Sequence, residues 1–440
     1  MKKVMETPRV YNRSSRSRFQ SNAGILGKVL LMLLVMLTFA GPMTGHAEAA
    51  TSLTEALSMG KVSLDIRYRY EMVDQEILPG NPVSKKAHAS TLRSRLGYMT
   101  APYKGFTAFL EMEDISVIGR EQYFDFGNAK TQYPAVADPE DTEVNQAYLK
   151  FTGLTGLAIT GGRQRIKLDN DRFIGNVGWR QNEQTFDAVR LAFTPMEGLT
   201  GTYIYLENVN RVFGEHHPTA ARADTQMESH LVHLAFAGMP VFNASAYGYL
   251  LDFDNAPAAS NKTVGLRIRG AVPIGDLKLL YTAEYADQSN YAAAPATVDA
   301  DYMLGELGAL IKGAMFKLSY EVLGGDGVYA FQTPLATAHA FQGWADKFLM
   351  TPVNGVEDLF ATVSAKVAGI KWVAVYHIFS ADSGNIDYGT ELDLLALKKL
   401  SKHYLVGVKY AKYDADSDPN NTGDKAVDVD KLWLMAQMKF

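Results

Sequence analysis

VSLDIRYRYE, residues 62–71, sets Ser63, Asp65, Arg67, Arg69 and Glu71 on one face of a strand and Val62, Leu64, Ile66, Tyr68 and Tyr70 on the other. Successive strand side chains alternate faces, so Arg67 and Arg69 project to the same side about 6.7 Å apart. The design recurs in TLRSRLGY (91–98), where Arg93 and Arg95 oppose Leu92, Leu96 and Tyr98. It recurs again in VGLRIRG (264–270), where Arg267 and Arg269 oppose Val264, Leu266 and Ile268. A fourth pair, Arg163 and Arg165, lies in GGRQRI. A soluble sheet would turn these arginines to water. A membrane barrel inverts the pattern, with apolar residues toward lipid and charge toward a wet interior.

The first segment favours the second arrangement. Lys2, Lys3, Arg9, Arg13, Arg16, Arg18 and Lys28 precede an apolar run from Val29 to Ala40, and Ala47-Glu48-Ala49 offers a small-residue cleavage site. That run is too short for a helical span, which needs about 20 residues, so residues 1–49 read as a secretory signal. Residues 50–60 are expected to be a short periplasmic segment. Removal of the signal leaves 36 basic against 46 acidic side chains. Nucleic acid is therefore not an expected partner. The chain has no cysteine, which excludes disulfides and thiolate metal sites. Later in the chain no apolar run approaches a helical span, so any crossing of a bilayer must be made by a closed barrel.

From Lys61 to Phe440, eighteen segments of roughly ten residues show two-residue periodicity. The fifth is expected at 157–166 and the eighth at 229–237. Short connections such as APYKG (101–105), KGA (312–314) and VAG (367–369) alternate with long ones, among them 114–142, 167–185 and 324–357. Strict alternation predicts an all-β, 18-stranded antiparallel transmembrane barrel over 61–440, with short periplasmic turns, long external loops and both termini on the short-turn side. Its location would be the outer membrane of a Gram-negative bacterium, in contact with lipid and lipopolysaccharide. Tyr98, Tyr103, Phe106, Phe151, Tyr285, Tyr302, Tyr376 and Tyr410 fall near strand ends, where an interfacial aromatic girdle is expected.

Two stretches resemble the alginate export family: GGRQRIKLDNDRFIGNVGWRQNEQTFDAVRLAF (161–193) and TPLATAHAFQGWADKFLMTP (333–352). The resemblance implies an 18-stranded barrel and passive export of an anionic exopolysaccharide through a basic lumen. Guanidinium suits that task because it stays charged and offers paired donors matching a carboxylate. Each grip must remain weak. An ion pair near 4 Å is worth about 4 kcal/mol at an effective dielectric of 20 but about 1 kcal/mol in water, and conduction needs the lower end.

The expected anion path comprises Arg67, Arg69, Arg93, Arg95, Arg163, Arg165, Arg190, Arg267 and Arg269, with Lys317 and Lys409 as lesser candidates. Asp65, Glu111, Glu113 and Glu284 have the parity of counter-charges, as do Glu71, Glu321, Glu391 and Asp393. The alternative role for each arginine is an interior salt bridge that rigidifies the barrel. The long connection at 324–357 carries Phe331, Phe341, Trp344 and Phe348, too apolar for disorder, and is expected to pack inward as a constriction or lid, the alternative being a surface cap held by its own aromatic cluster. The connection holding Arg172, Trp179 and Arg180 is the second candidate for inward folding.

Other chemistries lack their parts. The histidines are scattered, and His230 and His233 have opposite strand parity, so no hydrolase triad is evident and no enzyme activity is expected. DADSDPNNTGDK, from Asp414, has Pro419 and Lys425 where a calcium loop needs glycine and glutamate. No cofactor or metal is expected. One alternative is an anion-selective porin taking up small organic carboxylates; another, an exported β-rich binding protein that never enters lipid, is disfavoured by the loop alternation. Periplasmic delivery proteins are possible partners for export.

Overall fold

A computed structural model describes residues 49–78 and 80–440. The expected signal therefore lies outside the described residues, apart from Ala49. Eighteen antiparallel strands close into one barrel: β1 (Lys61–Gln75) pairs with β2 (Ala87–Met99) on one side and with β18 (Val429–Lys439) on the other. Between them run β3 (Phe106–Val117), β4 (Asp141–Leu154), β5 (Leu157–Gln164), β6 (Thr185–Met196), β7 (Leu199–Asn210), β8 (Asp224–Met239) and β9 (Phe242–Leu251). The second half holds β10 (Asn261–Ile274), β11 (Leu277–Ser289), β12 (Asp299–Ile311), β13 (Ala314–Leu323), β14 (Val356–Val367), β15 (Ile370–Ser380), β16 (Asp387–Lys399) and β17 (Tyr404–Ala415). Closure leaves no strand edge to be satisfied by water, the condition for a sheet in lipid.

The wall follows the alternation. Val62, Leu96, Leu110, Leu266, Leu307 and Leu318 are exposed on the outside, while Arg67, Arg93, Glu113, Arg267 and Glu321 are buried on the inside. This outward apolar coat makes the molecule an outer-membrane barrel. The short turns are tight: Lys312-Gly313 and Ala368-Gly369 both have positive φ, the two-residue geometry whose twist matches antiparallel strands. A short helix, α1 (Leu53–Ser58), is capped by the Ser52 hydroxyl and packs beside the turn between β2 and β3, where the Ala101 N–H donates to the Ala56 carbonyl at 3.0 Å.

Three differences from expectation have physical causes. The eighth strand begins at Asp224, five residues early, because it continues above the membrane against Asn210 and Val209 of β7. β5 ends at Gln164 and not at 166, so Arg165 already belongs to the following loop. Tyr302, expected in the girdle, points inward, fully buried, with its hydroxyl donating to Glu321 at 2.7 Å. Tyr285 and Tyr376 are exposed on the outer wall.

The hydrophobic core lies inside the barrel. The loop after β5, residues 165–184, sends Ile166, Leu168, Phe173 and Ile174 against Phe331 and Leu335 of the loop after β13, residues 324–355. Both meet inward residues of the wall, including Phe186, Leu206, Tyr249 and Tyr302. The two loops are stitched together: Gly175 N–H donates to the Leu335 carbonyl at 2.9 Å, and Thr337 N–H to the Asp171 carbonyl at 3.0 Å. A second cluster seats Phe348 against Phe379, Tyr388 and Tyr413.

Candidate functional site: an arginine-clasped plug in the lumen

Three of the four inward arginines of β1 and β2 meet a loop. Among the described residues Arg67 has no carboxylate partner; its guanidinium donates to Gln181 Oε1 at 2.9 Å, to the Gly178 carbonyl at 3.0 Å and to the Arg180 carbonyl. Arg69 binds Asp138, from the loop after β3, and the Trp179 carbonyl. Arg93 pairs with Asp65 at 3.0 Å, and Arg95 with Glu113 and with Glu183 at 3.2 Å. Arg165, reaching in from the loop, pairs with Glu111 at 2.7 Å and with Glu183. Across the barrel Arg267 pairs with Glu284. Asp65, Glu111, Glu113 and Glu284 thus each stand beside an arginine.

This corrects the expectation of an open arginine ladder. Arg67, Arg69, Arg93, Arg95 and Arg267 are all buried; Arg67, Arg69 and Arg95 donate to loop groups, while Arg93 and Arg267 pair with the wall acids Asp65 and Glu284. A ladder rung must present its guanidinium to the passenger; Arg67, Arg69 and Arg95 fasten the plug to the wall instead, and Arg93 and Arg267 brace the wall itself.

Arg163 departs further. Its Cα neighbours are Ala147 of β4 and Asp187 of β6, whose parity is outward, and it lines a groove with Met112, Val144 and Ala147. There it donates to Asp187 at 2.9 Å and to the Val144 carbonyl at 3.0 Å. Arg163 is therefore not a lumen residue. The sequence carried the signal: Arg163 shares parity with Leu157 and Ile159, the apolar face of β5.

Arg190 and Arg269 do face the lumen and stay unclaimed among the described residues. Arg190 lies beside Thr160 and the buried Ile204, and its Nε has no hydrogen-bond partner. Arg269, two residues beyond Arg267, is exposed. Lys317 pairs with Glu306.

The loop tips meet the wall around one cation. Lys409 of β17 lies 4.3 Å from the Trp179 ring, 3.7 Å from the Trp344 ring and 5.3 Å from the Trp433 ring. Its ammonium donates to His339 Nε2 at 2.6 Å, and His339 Nδ1 donates to Asp346 at 2.6 Å. Asp346 also takes Arg180 and Lys431, each at 2.9 Å, while Arg180 reaches Glu71 at 3.0 Å. Phe341 stacks on Arg172, 4.7 Å from its ring centre, and Arg172 pairs with Glu321 at 2.7 Å. The Trp344 and Ala345 N–H groups donate to Asp393 at 3.1 Å and Glu391 at 2.7 Å. Gly343, with φ of +78°, permits this approach, because a Cβ there would sit 2.3 Å from Glu391 Oε2. Both loops fold inward, with Trp179, Arg180, Phe341 and Trp344 at the contact.

The electrostatics of the loop groups follow from these contacts. Burial pushes Glu183 up, yet Arg95 and Arg165 outweigh it and bring the carboxyl down to about 2. Asp138 is likewise lowered against its burial by Arg69 and Arg180. Burial, helped by Lys409, brings His339 down to about 3 against the pull of Asp346, so it holds the neutral tautomer that accepts from Lys409 and donates to Asp346. Residue-type reasoning missed Glu183, Asp138 and Asp346. Glu183 had a visible signal, a lone acid in the polar run Arg180-Gln181-Asn182-Glu183-Gln184; the other two had none.

These contacts join β1, β2 and the loops after β3 and β5 into one unit, and a protein-family comparison falls on that unit. Residues 58–204 match the family model described as alginate export. The matched segment contains β1 to β6, the loop at 165–184, and Arg67, Arg93, Arg95, Glu183 and Arg190. No curated protein matches the chain. Among solved structures, Pseudomonas aeruginosa OccK9 (OpdG) is similar at a TM-score of 0.68 and 13% identity, over 88% of this chain and 99% of that one. Acinetobacter baumannii OccAB4 gives 0.66 and 12%, over 86% and 98%. Pseudomonas aeruginosa OpdK, solved with vanillate, gives 0.64 and 13%, over 87% and 99%. At such identities the likeness is one of fold. With the closed wall and its outward apolar coat it makes this protein an outer-membrane barrel.

Proposed function

We propose that the channel passes carboxylate-bearing anions, and specifically that it exports an alginate-like polyuronate passively from the periplasm. The observation that carries this reading is the family match over residues 58–204, which spans the arginine-clasped loop and Arg190. Under it, Arg190, Arg269 and the half-exposed Arg165 are the lumen groups a carboxylate meets, and Arg67, Arg69 and Arg95 hold the constriction in place. The polymer would thread beside the plug, each uronate exchanging weak, hydrated contacts. No catalytic chemistry is assigned.

A second reading is favoured by the plug itself. Two loops that fill the lumen with aromatic rings suit a small organic carboxylate better than a hydrated polymer strand, and one structural neighbour was solved with vanillate. Planar-bilayer recordings separate the two. Polyuronate export predicts anion selectivity together with block by oligouronates whose dwell time lengthens with chain length. Uptake of small carboxylates predicts anion selectivity with no length dependence. A cation-selective pore would remove both.

A further inference from the structure

Charge is sorted along the barrel axis as well as between its faces. Below the plug, near the short turns, Lys150, Arg190, Arg269, Lys278, Lys366 and Lys371 share the inward parity of their strands. None of the six makes an ion pair or side-chain hydrogen bond among the described residues, and all but Arg190 are exposed. Lys150 and Arg190 flank Thr160 in adjacent strands, which puts them on one row about 10 Å apart. Lys366 and Lys371 stand directly opposite each other, an arrangement that disfavours itself unless an anion lies between them.

The wall acids at this depth are already matched. Asp65 holds Arg93 at 3.0 Å and Lys439 at 3.2 Å, and Glu306 holds Lys317. Glu197 and Asp276 sit in the turns themselves. The far end differs: loops after β9, β13, β15 and β17 expose Asp254, Asp326, Asp382, Asp416 and Asp428, while earlier loops mix these with Lys86, Arg120 and Arg222.

We propose that the periplasmic half of the lumen is a capture vestibule for anionic chain segments, so that anions enter faster from the periplasmic side than from outside. This rests on the anion-channel reading and adds a direction to it. A low-dielectric cavity lined by one sign of charge concentrates counter-ions and raises their entry rate by a factor of about 10 to 1,000. The acids at the outer mouth give no such help to an anion arriving there. Net flux still follows the gradient; the asymmetry lies in the rate of capture.

The test needs a channel whose orientation is known. The chain has no cysteine, so Asn420→Cys, biotinylated and capped with streptavidin, marks the long-loop side. Oligogalacturonate added to the short-turn side at low ionic strength is expected to block about tenfold more often per unit concentration than when added to the long-loop side. The ratio should fall toward one in 1 M salt, and in a variant carrying Lys150→Gln, Arg190→Gln and Arg269→Gln. A parallel arm measures rectification of sodium galacturonate current, which any carboxylate channel conducts. Equal currents at both polarities overturn the vestibule even where oligomers never block. Rectification without oligomer block supports the vestibule and retires the polyuronate reading alone. Heat-modifiable mobility on gels confirms that the triple variant still forms a barrel.

Discussion

Glu183 shows how much one buried acid can hold. It accepts from Arg165, binds Arg95 at 3.2 Å and takes side-chain amides from Asn145 and Asn176 at 2.7 and 2.6 Å. Glu183→Gln would leave Arg95 with Glu113 and Arg165 with Glu111, so the loss is partial, on the order of 3 kcal/mol of loop docking. The expected readout is more frequent open-state fluctuation in single-channel traces with unchanged barrel assembly. Arg163 and Arg165 separate by face: Arg165→Gln should lower the anion-to-cation permeability ratio severalfold, whereas Arg163→Gln should leave it unchanged. Equal effects would place Arg163 back in the lumen.

Among elements, the loop at 324–355 is the most consequential. Its length is too great for a link, and its apolar residues find a core inside the barrel that they could not build alone. Its tip is held where Trp344 covers Lys409, a desolvated cation–π contact worth about 2 kcal/mol. Trp344→Ala should free the tip. Limited proteolysis would then cut within 336–350 in the variant and not in the parent, and conductance would rise. An uncut loop with parental conductance would mean that Phe348 and the 165–184 loop suffice to seat it. The neighbouring loop adds charge to the same apolar logic: Ile166, Leu168, Phe173 and Ile174 join that core, and backbone carbonyls of the loop are satisfied by Arg67 and Arg69.

For the whole molecule, wall and plug should respond differently to acid. The wall is held by its hydrogen-bonded ladder, which does not titrate. The plug is held partly by Glu183, brought from 4.5 to about 2, and by His339, brought from 6.5 to about 3. Both are depressed in the folded state, so their contributions are complete above the unfolded values and decline as pH falls toward the folded ones. The plug should therefore loosen progressively below about pH 6 and more steeply below about pH 4.5. Conductance recorded from pH 7 to 2.5 would rise while far-ultraviolet circular dichroism keeps its β signal. A flat conductance would show that apolar packing alone seats the loops.

Eighteen strands, their inside-out alternation and the short-turn, long-loop asymmetry were determined by the sequence alone, because lipid imposes a two-residue period that local pattern records. Inward folding of the loops was legible too, from aromatic residues with no other place to bury. What tertiary structure decided was the partner of each arginine. Arg67 and Arg69 were legible as lumen residues, but that they grip Gly178, Trp179 and Asp138, some seventy or more positions away, depends on loops crossing the lumen, and no local period encodes that reach. The same physics separates free Arg190 and Arg269 from spent Arg93 and Arg95: a guanidinium takes the nearest carboxylate that folding delivers, and only the closed barrel fixes which acids arrive.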